Sequence, residues 1–380
     1  MPGIASQRHR FAIPEDLHYL NCAYMAPLSH GVSGAMVEGA RLKEQPWNFR
    51  PADFFAVVEA FRERAGRLAK VDADRIAVVP SVSYGLAVAA ANIPLERGQS
   101  IVTLGDQFPS NIYVWQEKAA RCGGQVIAVQ RPSQSCWSEA VLEAIGPHTA
   151  IVAVPHNHWA DGRLVDLVAV GEKARAHGAA LVLDLTQSLG AMPLDFAAVQ
   201  PDFAVAACYK WLMGPYGIAM LYVDPKYHDG EPIEHNWINR AGSEDFARLV
   251  DYRDDFQPGA RRFDMGEKSN PPLLEGAGAA LDFLMEFGVE AISAELGRRT
   301  EELATEAQDL GLVSAPIGTR APHFLSLGFP DGVPDGLTQS LAERRVHVSL
   351  RGSSLRVTPH LYNTSADTDA LVQTLRDCLA

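Results

Sequence analysis

The sequence is short of the features that would mark a stapled, membrane-spanning or nucleic-acid-binding protein. Its five cysteines, Cys22, Cys122, Cys136, Cys208 and Cys378, are scattered, odd in number and form no CxxC pair, which fits reduced thiols rather than a disulfide framework. No apolar run reaches the ~20 residues that a bilayer-spanning helix requires, and the opening MPGIASQRHRF has no hydrophobic core of a signal peptide. The cytoplasm is therefore the expected compartment. Basic residues are in deficit: 33 Lys and Arg stand against 46 Asp and Glu, a formal charge of -13. An acidic chain is repelled by nucleic acid and by anionic membrane surfaces, so neither is an expected partner. No internal repeat is present. What remains is 380 residues, 47% of them hydrophobic, enough to bury a large core and suited to two domains sharing one site.

The stretch that organises the rest is 201–223, PDFAVAACYKWLMGPYGIAMLYV. Lys210 follows the small and apolar run Ala204 to Cys208, and precedes the Gly214-Pro-Tyr-Gly217 turn and a second apolar strand, Ile218 to Val223. Lysines in such surroundings are rare, and the ordinary reading of one at a strand-to-strand turn is a surface residue. If the amine is buried, its charged form is disfavoured, its pKa falls and it becomes a usable nucleophile. Upstream, AALVLDLTQSLG (179–190) is an apolar strand ending in Asp184, with Gln187 three residues on. A carboxylate at the end of a parallel strand ahead of a buried lysine meets the needs of pyridoxal phosphate: an amine for the aldehyde and an anion for the ring nitrogen.

The strand-Asp-x-x-Gln element, the Tyr209-Lys210 pair and the glycine turn resemble the class V aminotransferase family of fold-type I pyridoxal phosphate enzymes, which includes cysteine desulfurases, kynureninase and isopenicillin N epimerase. The similarity runs from about Leu20 to the C-terminus. It implies an α/β fold, with a large domain built on a mainly parallel, seven-stranded type of sheet between helices and a small α+β C-terminal domain. The strand-helix alternation from Ile76 to Val223 independently favours a parallel sheet with helices on both faces. The expected division is an arm over 1–20, a large domain over 21–258 and a small domain over 259–380. Within it, residues 1–19 read as a polar arm, 51–70 and 86–92 as helices, and Val346–Leu350 as one strand.

The resemblance also assigns roles. Val82 and Ser83, where Ser81-Val-Ser-Tyr-Gly85 leads into a helix, match the phosphate-binding positions; a plain serine N-cap is the bland alternative. Phe108-Pro-Ser110-Asn111 resembles the kynureninase version of a segment in which desulfurases carry two histidines, making Phe108 the residue stacked on the pyridine ring, with Ser110 beside it; a core phenylalanine is the alternative. Asp184, Gln187 and Tyr209 fall to the cofactor. Trp237 and Asn270, in segments that cross to a partner's cofactor phosphate in family dimers, imply a homodimer with its site at the subunit interface. In the loop His156-Asn-His-Trp-Ala-Asp-Gly162, Trp159 stands at the place of the family's common asparagine, so His158 and Trp159 are substrate-side candidates. His156, His158 and Asp161 lack a further ligand at a metal-site spacing, and no metal is expected. The extended segment 19–28 brings Ala23 and Tyr24 toward the substrate. Ser354-Leu-Arg-Val-Thr-Pro resembles the C-terminal signature whose arginine binds the substrate carboxylate: Arg356 is the first candidate and Arg351 the second.

The implied substrate is a small amino acid. The loop 348–354 contains no cysteine, which disfavours persulfide-type desulfuration. Amino-group transfer, carbon-sulfur or carbon-carbon lysis, kynureninase-like hydrolysis and epimerisation stay open, as does a catalytically idle relative of the fold.

Overall fold

The computed structural model describes residues 3–131 and 136–379. The chain enters through β1 (His18–Tyr19), α1 (His30–Arg41) and α2 (Asp53–Ala69). A long alternation follows: β2 (Ile76–Val79), α3 (Val82–Asn92), β3 (Ser100–Leu104), α4 (Ser110–Cys122), β4 (Gln125–Val129), α5 (Trp137–Ala144), β5 (Thr149–Pro155), α6 (Leu167–Ala176), β6 (Ala180–Asp184), α7 (Phe196–Val199), β7 (Phe203–Ala207) and β8 (Ala219–Val223). The C-terminal part comprises α8 (Pro271–Phe287), α9 (Val289–Asp309), β9 (Leu325–Gly328), α10 (Leu337–Glu343), β10 (Val346–His347), β11 (Ser349–Arg351), β12 (Ser354–Val357) and α11 (Ser365–Leu379).

Seven strands form the main sheet in the order β2-β8-β7-β6-β5-β3-β4. From β7 to β4 all neighbours run parallel, while β8 is antiparallel to both β2 and β7. The central strands are buried along their whole length, and so read as continuous Val, Ala, Ile and Leu rather than as an alternating pattern. Apolar residues on the two faces pack into separate clusters, one under α2, α6 and α8, the other under α3 and α4. Gly85 of α3 marks the tightest approach: a Cβ there would lie 2.8 Å from Val205 Cγ2, so only glycine lets α3 settle directly on β7.

Three local expectations are corrected. The helix expected over 86–92 starts at Val82, because Ser81 Oγ accepts the Tyr84 N–H at 3.2 Å and caps it there. The presumed polar arm contributes a strand: β1 pairs in parallel with β10, and Leu20 is buried in the C-terminal core. The strand expected over 346–350 is split, since β10 turns to β1 while β11 pairs with β12 in a three-stranded antiparallel sheet, β11-β12-β9. A parallel β1 partner 328 residues away leaves no trace in local hydrophobic spacing.

The N-terminal segment then runs between both parts of the molecule. Cys22 N donates to Thr358 O at 3.0 Å, and Ala26 N to Tyr209 O at 2.9 Å. On the other side α8 packs against α1 and α2.

Candidate active site

The site lies beyond the C-terminal ends of β5, β6 and β7, the edge at which open α/β sheets bind ligands. Pro155 and Asp184 are register partners there, and Asp184 is paired with Val205. One pocket is lined by residues from these strand ends, the first turn of α3, the approach to α4, and the Lys210 turn.

Its floor is an anion cradle. Val82 and Ser83 open α3, so their N–H groups have no acceptor within the helix and point out of its N-terminus. Across the pocket, Ser110 opens α4, and Ser83 Oγ donates to Ser110 Oγ at 3.1 Å. Both hydroxyls line the same cavity.

Above it stand the ionisable groups. Lys210 is buried and makes no hydrogen bond or ion pair among the described residues; its Nζ lies 5.4 Å from the ring centroids of Phe108 and Tyr209. Burial pulls its pKa from 10.5 to about 8, with Asp184 opposing the shift and Arg356 reinforcing it. The Lys210 turn is held by Met213 at φ 57 and Gly217 at φ 92, left-handed positions that bring the second apolar strand back as β8. Asp184 is buried at the end of β6, with Oδ1 accepting from Thr186 N at 3.0 Å and no ion-pair partner among the described residues. Burial raises its pKa, and Thr186 and Lys210 only partly offset that.

Two amides complete the wall. Gln187 Nε2 donates to Ala23 O at 3.2 Å, and its Oε1 accepts from Trp211 Nε1 at 2.9 Å, which fixes the orientation of the amide. Asn157, 1% exposed, lines the pocket with both Oδ1 and Nδ2 unpartnered. A buried amide with neither end satisfied costs stability unless a ligand completes it.

The 155–159 segment separates the two substrate-side candidates, Trp159 and His158. Pro155, Asn157 and Trp159 line the pocket, and the alternation of extended backbone sends the intervening histidines elsewhere. His158 is buried away from the cavity, stacked on Trp137 with ring centroids 5.2 Å apart and Nδ1 3.4 Å from Asp161 Oδ1. His156 is partly buried on the other side of the segment, and desolvation lowers its pKa to about 4. Asn157 and Trp159 both line the pocket, two residues apart on the same face of the extended segment. Among the described residues, no group of three or more His, Cys, Asp or Glu is arranged to hold a metal ion.

Trp159 instead joins the pocket to β11 and β12. Its Nε1 donates to Asp106 O at 2.7 Å and its ring meets Phe108 edge-on at 5.7 Å. Arg356 Nη1 donates to its carbonyl at 3.0 Å, and the Arg351 guanidinium lies over its ring at 5.8 Å. Tyr24 is 58% exposed on the segment that carries Ala23. Like His158, the predicted residues Tyr24, Arg351 and Arg356 do not line this pocket, the two arginines reaching it only through Trp159. Trp237 and Asn270 do not line it either: Trp237 packs with Phe54, Phe55 and Phe246, and Asn270 caps α8 by accepting from Leu273 N at 3.3 Å. Gln107, whose Nε2 is buried and unpartnered, also lines the cavity and carried no sequence signal beyond its neighbour Phe108.

The family model described as Aminotransferase class-V matches residues 48–372. The chain belongs to that family. Among curated relatives, an uncharacterized aminotransferase, YcbU, of Bacillus subtilis is 28% identical over 313 residues, covering 81% of this chain and 80% of its own. Isopenicillin N epimerase of Streptomyces clavuligerus is 24% identical over 351 residues, covering 88% of each. Among solved structures, a mutant of C-DES with glycine covalently linked to its PLP cofactor superposes with a TM-score of 0.85 over 98% of this chain and 99% of that one, at 19% identity. This likeness places the chain among fold-type I structures.

Class V aminotransferases are pyridoxal phosphate-dependent enzymes, and the residues of this pocket fit that group. The open helix N-terminus with its two serines suits a phosphate. The orphaned Asn157 amide suits a ring substituent, the unpaired Asp184 carboxylate a ring N–H, and the free Lys210 amine an aldehyde.

Proposed function

We propose that this class V chain is a pyridoxal phosphate enzyme that acts on a small amino acid, as an aminotransferase or a carbon-sulfur or carbon-carbon lyase. The observation that carries the reading is Lys210: a buried amine, with its pKa drawn down to about 8 and no partner among the described residues, beside an equally unpaired Asp184. When bound, pyridoxal phosphate supplies an electron sink for a bond breaking at the substrate's Cα.

The chain's own residues make that sink usable. With that group bound, Lys210 would hold its aldehyde carbon and would be the base placed to take a proton from the substrate's Cα. Asp184 would keep a proton on the ring nitrogen. Val82, Ser83 and Ser110 would hold the phosphate through N–H and hydroxyl groups, and Phe108 would pack against the ring. Asn157 and Gln187 would donate toward its oxygen, with Tyr209 flanking the lysine. Arg356 offers two parallel N–H donors to the α-carboxylate. Trp237 and Asn270 lie away from their own chain's pocket, which supports a homodimer in which they approach the partner's site. Hydrolysis or epimerisation is the second reading, favoured by Phe108 at the place of the desulfurase histidines and by the relationship to an epimerase. Loop 348–354 has no cysteine, which argues against persulfide chemistry.

The test is borohydride reduction of the purified yellow protein followed by peptide mass mapping, then single-turnover spectra with a panel of amino acids while keto acid, ammonia and sulfide are assayed. A phosphopyridoxyl group on Lys210 and a spectral response to amino acids are expected. Reduction that marks another lysine, or none, defeats the proposal.

A further inference from the structure

We propose that the substrate is an α-amino acid with a second anionic group on its side chain, the α-carboxylate resting on Arg356 and the second anion on Arg351. This rests on the amino-acid reading of the site and adds its substrate class.

The two arginines are placed by one hairpin. In the antiparallel β11–β12 pair, Ser349 lies opposite Arg356, so Arg351, two residues along, projects on the same face as Arg356. Diagonal neighbours of this kind sit about 7–8 Å apart. Trp159 separates them further: Arg356 Nη1 donates to its carbonyl at 3.0 Å, whereas Arg351 lies over its ring at 5.8 Å. The guanidiniums therefore stand at two separate points beside Trp159, which lines the pocket.

Neither has a carboxylate partner among the described residues, in a chain with a surplus of acidic groups. Arg356 is deeply buried and Arg351 partly so, whereas the other deeply buried arginines have a carboxylate: Arg62 pairs with Asp264 at 2.7 Å and Arg320 with Glu301 at 3.1 Å. On both Arg351 and Arg356 the Nε donor is buried and unused. Two like charges kept close together with open donors cost stability, and an anion at each relieves the repulsion as well as filling the donors. Their remaining contacts do not neutralise them: Arg356 Nη2 reaches Ser349 Oγ at 3.4 Å, and Arg351 Nη1 the carbonyl of Leu350 at 3.1 Å. The pair also gives an acidic protein a local positive field that draws dianionic amino acids to the site.

Calorimetric binding to the holoenzyme tests this, with L-aspartate, L-glutamate and L-cysteate set against L-asparagine, L-glutamine and L-serine. The acidic set should bind tighter by about tenfold to a hundredfold, the worth of one charge-assisted hydrogen bond. Arg351→Gln should collapse that ratio to about one, and Arg351→Lys should keep part of it by keeping the charge. Arg351→Gln weakening both sets in proportion means that both arginines hold one carboxylate, and it overturns the proposal. So does a wild type that binds neutral and acidic amino acids alike while its cofactor band responds to them. If no amino acid alters that band or gives heat, the amino-acid reading fails, and the substrate class fails with it.

Discussion

Two buried clusters of charge in this chain are built in opposite ways. Where α2 and β2 meet the segment before α8, Arg62 Nη2 pairs with Asp264 Oδ2 at 2.7 Å, and Lys268 Nζ reaches the same oxygen at 2.9 Å and Asn239 Oδ1 at 2.8 Å. Val78 N donates to Asp264 Oδ1 at 2.7 Å, and Asn239 Nδ2 to the Asp264 carbonyl at 2.7 Å. Burial pushes the Asp264 carboxyl up, yet Arg62 and Lys268 outweigh it and leave its pKa lowered. At the ends of β5 to β7, Asp184 and Lys210 are buried without an ion-pair partner among the described residues, Asn157 has both amide atoms unpartnered, and Asp184 stays raised. A buried charge whose partners are all present fastens segments together; one left incomplete lowers stability and is kept for what it binds.

The largest expected effect is at the open cluster. Lys210→Ala should remove covalent cofactor attachment altogether while the fold persists, because the amine makes no hydrogen bond that the fold loses. Borohydride treatment and intact mass measure this, and any residual phosphopyridoxyl adduct would contradict it.

The contrast itself is broken or upheld by two aspartates. Asp264→Asn leaves Arg62 and Lys268 short of a counter-charge and should cost about 3–5 kcal/mol in urea unfolding. Asp184→Asn in the cofactor-free protein should change stability by less than about 1 kcal/mol, since the carboxylate it removes is unpaired, while turnover of the loaded enzyme falls severely. Equal losses from the two substitutions would erase the distinction.

Trp211→Phe sharpens the open cluster from behind. It keeps an aromatic ring against His323, whose centroid lies 4.2 Å away, but removes the N–H that orients Gln187. A loss of about 1 kcal/mol in stability is expected, with a shifted cofactor absorbance; an unchanged spectrum would show that the amide orientation does not depend on the indole.

The smallest effect is a pH midpoint. A lysine depressed from 10.5 to about 8 is uncharged for roughly a tenth of the time at pH 7, so the cofactor-free protein should capture pyridoxal phosphate faster as pH rises through about 8. The sign follows from linkage: between about 8 and 10.5 the unfolded chain binds the proton that folded Lys210 has lost, so this group's cost to stability fades as pH rises across that window. Asp184 opposes the depression, so Asp184→Asn should move the capture midpoint lower. A midpoint near 10.5 would place the amine in water.

Several parts of the site were legible because their signals are local. The Asp184 strand, the glycine-bounded Lys210 turn and the serine-led start of α3 each bring a residue type together with its immediate neighbours. The signal for Asn157 is the two-residue alternation that separates Asn157 and Trp159 from His156 and His158, which residue types alone do not show. Trp211 and Gln107 carried no comparable signal, since an indole beside a motif lysine reads as core and a lone glutamine in a loop reads as surface.

By itself the sequence determined the alternating α/β order and the strand ends that present Asp184 and Lys210, since each depends on side chains a few residues apart. The tertiary structure alone decided which buried groups are completed and which stay open. Arg356 meets Trp159 across 197 residues and Gln187 meets Ala23 across 164. Arg62 finds Asp264 across 202, while nothing among the described residues arrives to pair with Asp184. Whether a charge is satisfied depends on atoms within about 3 Å in space, and separation along the chain carries no information about that.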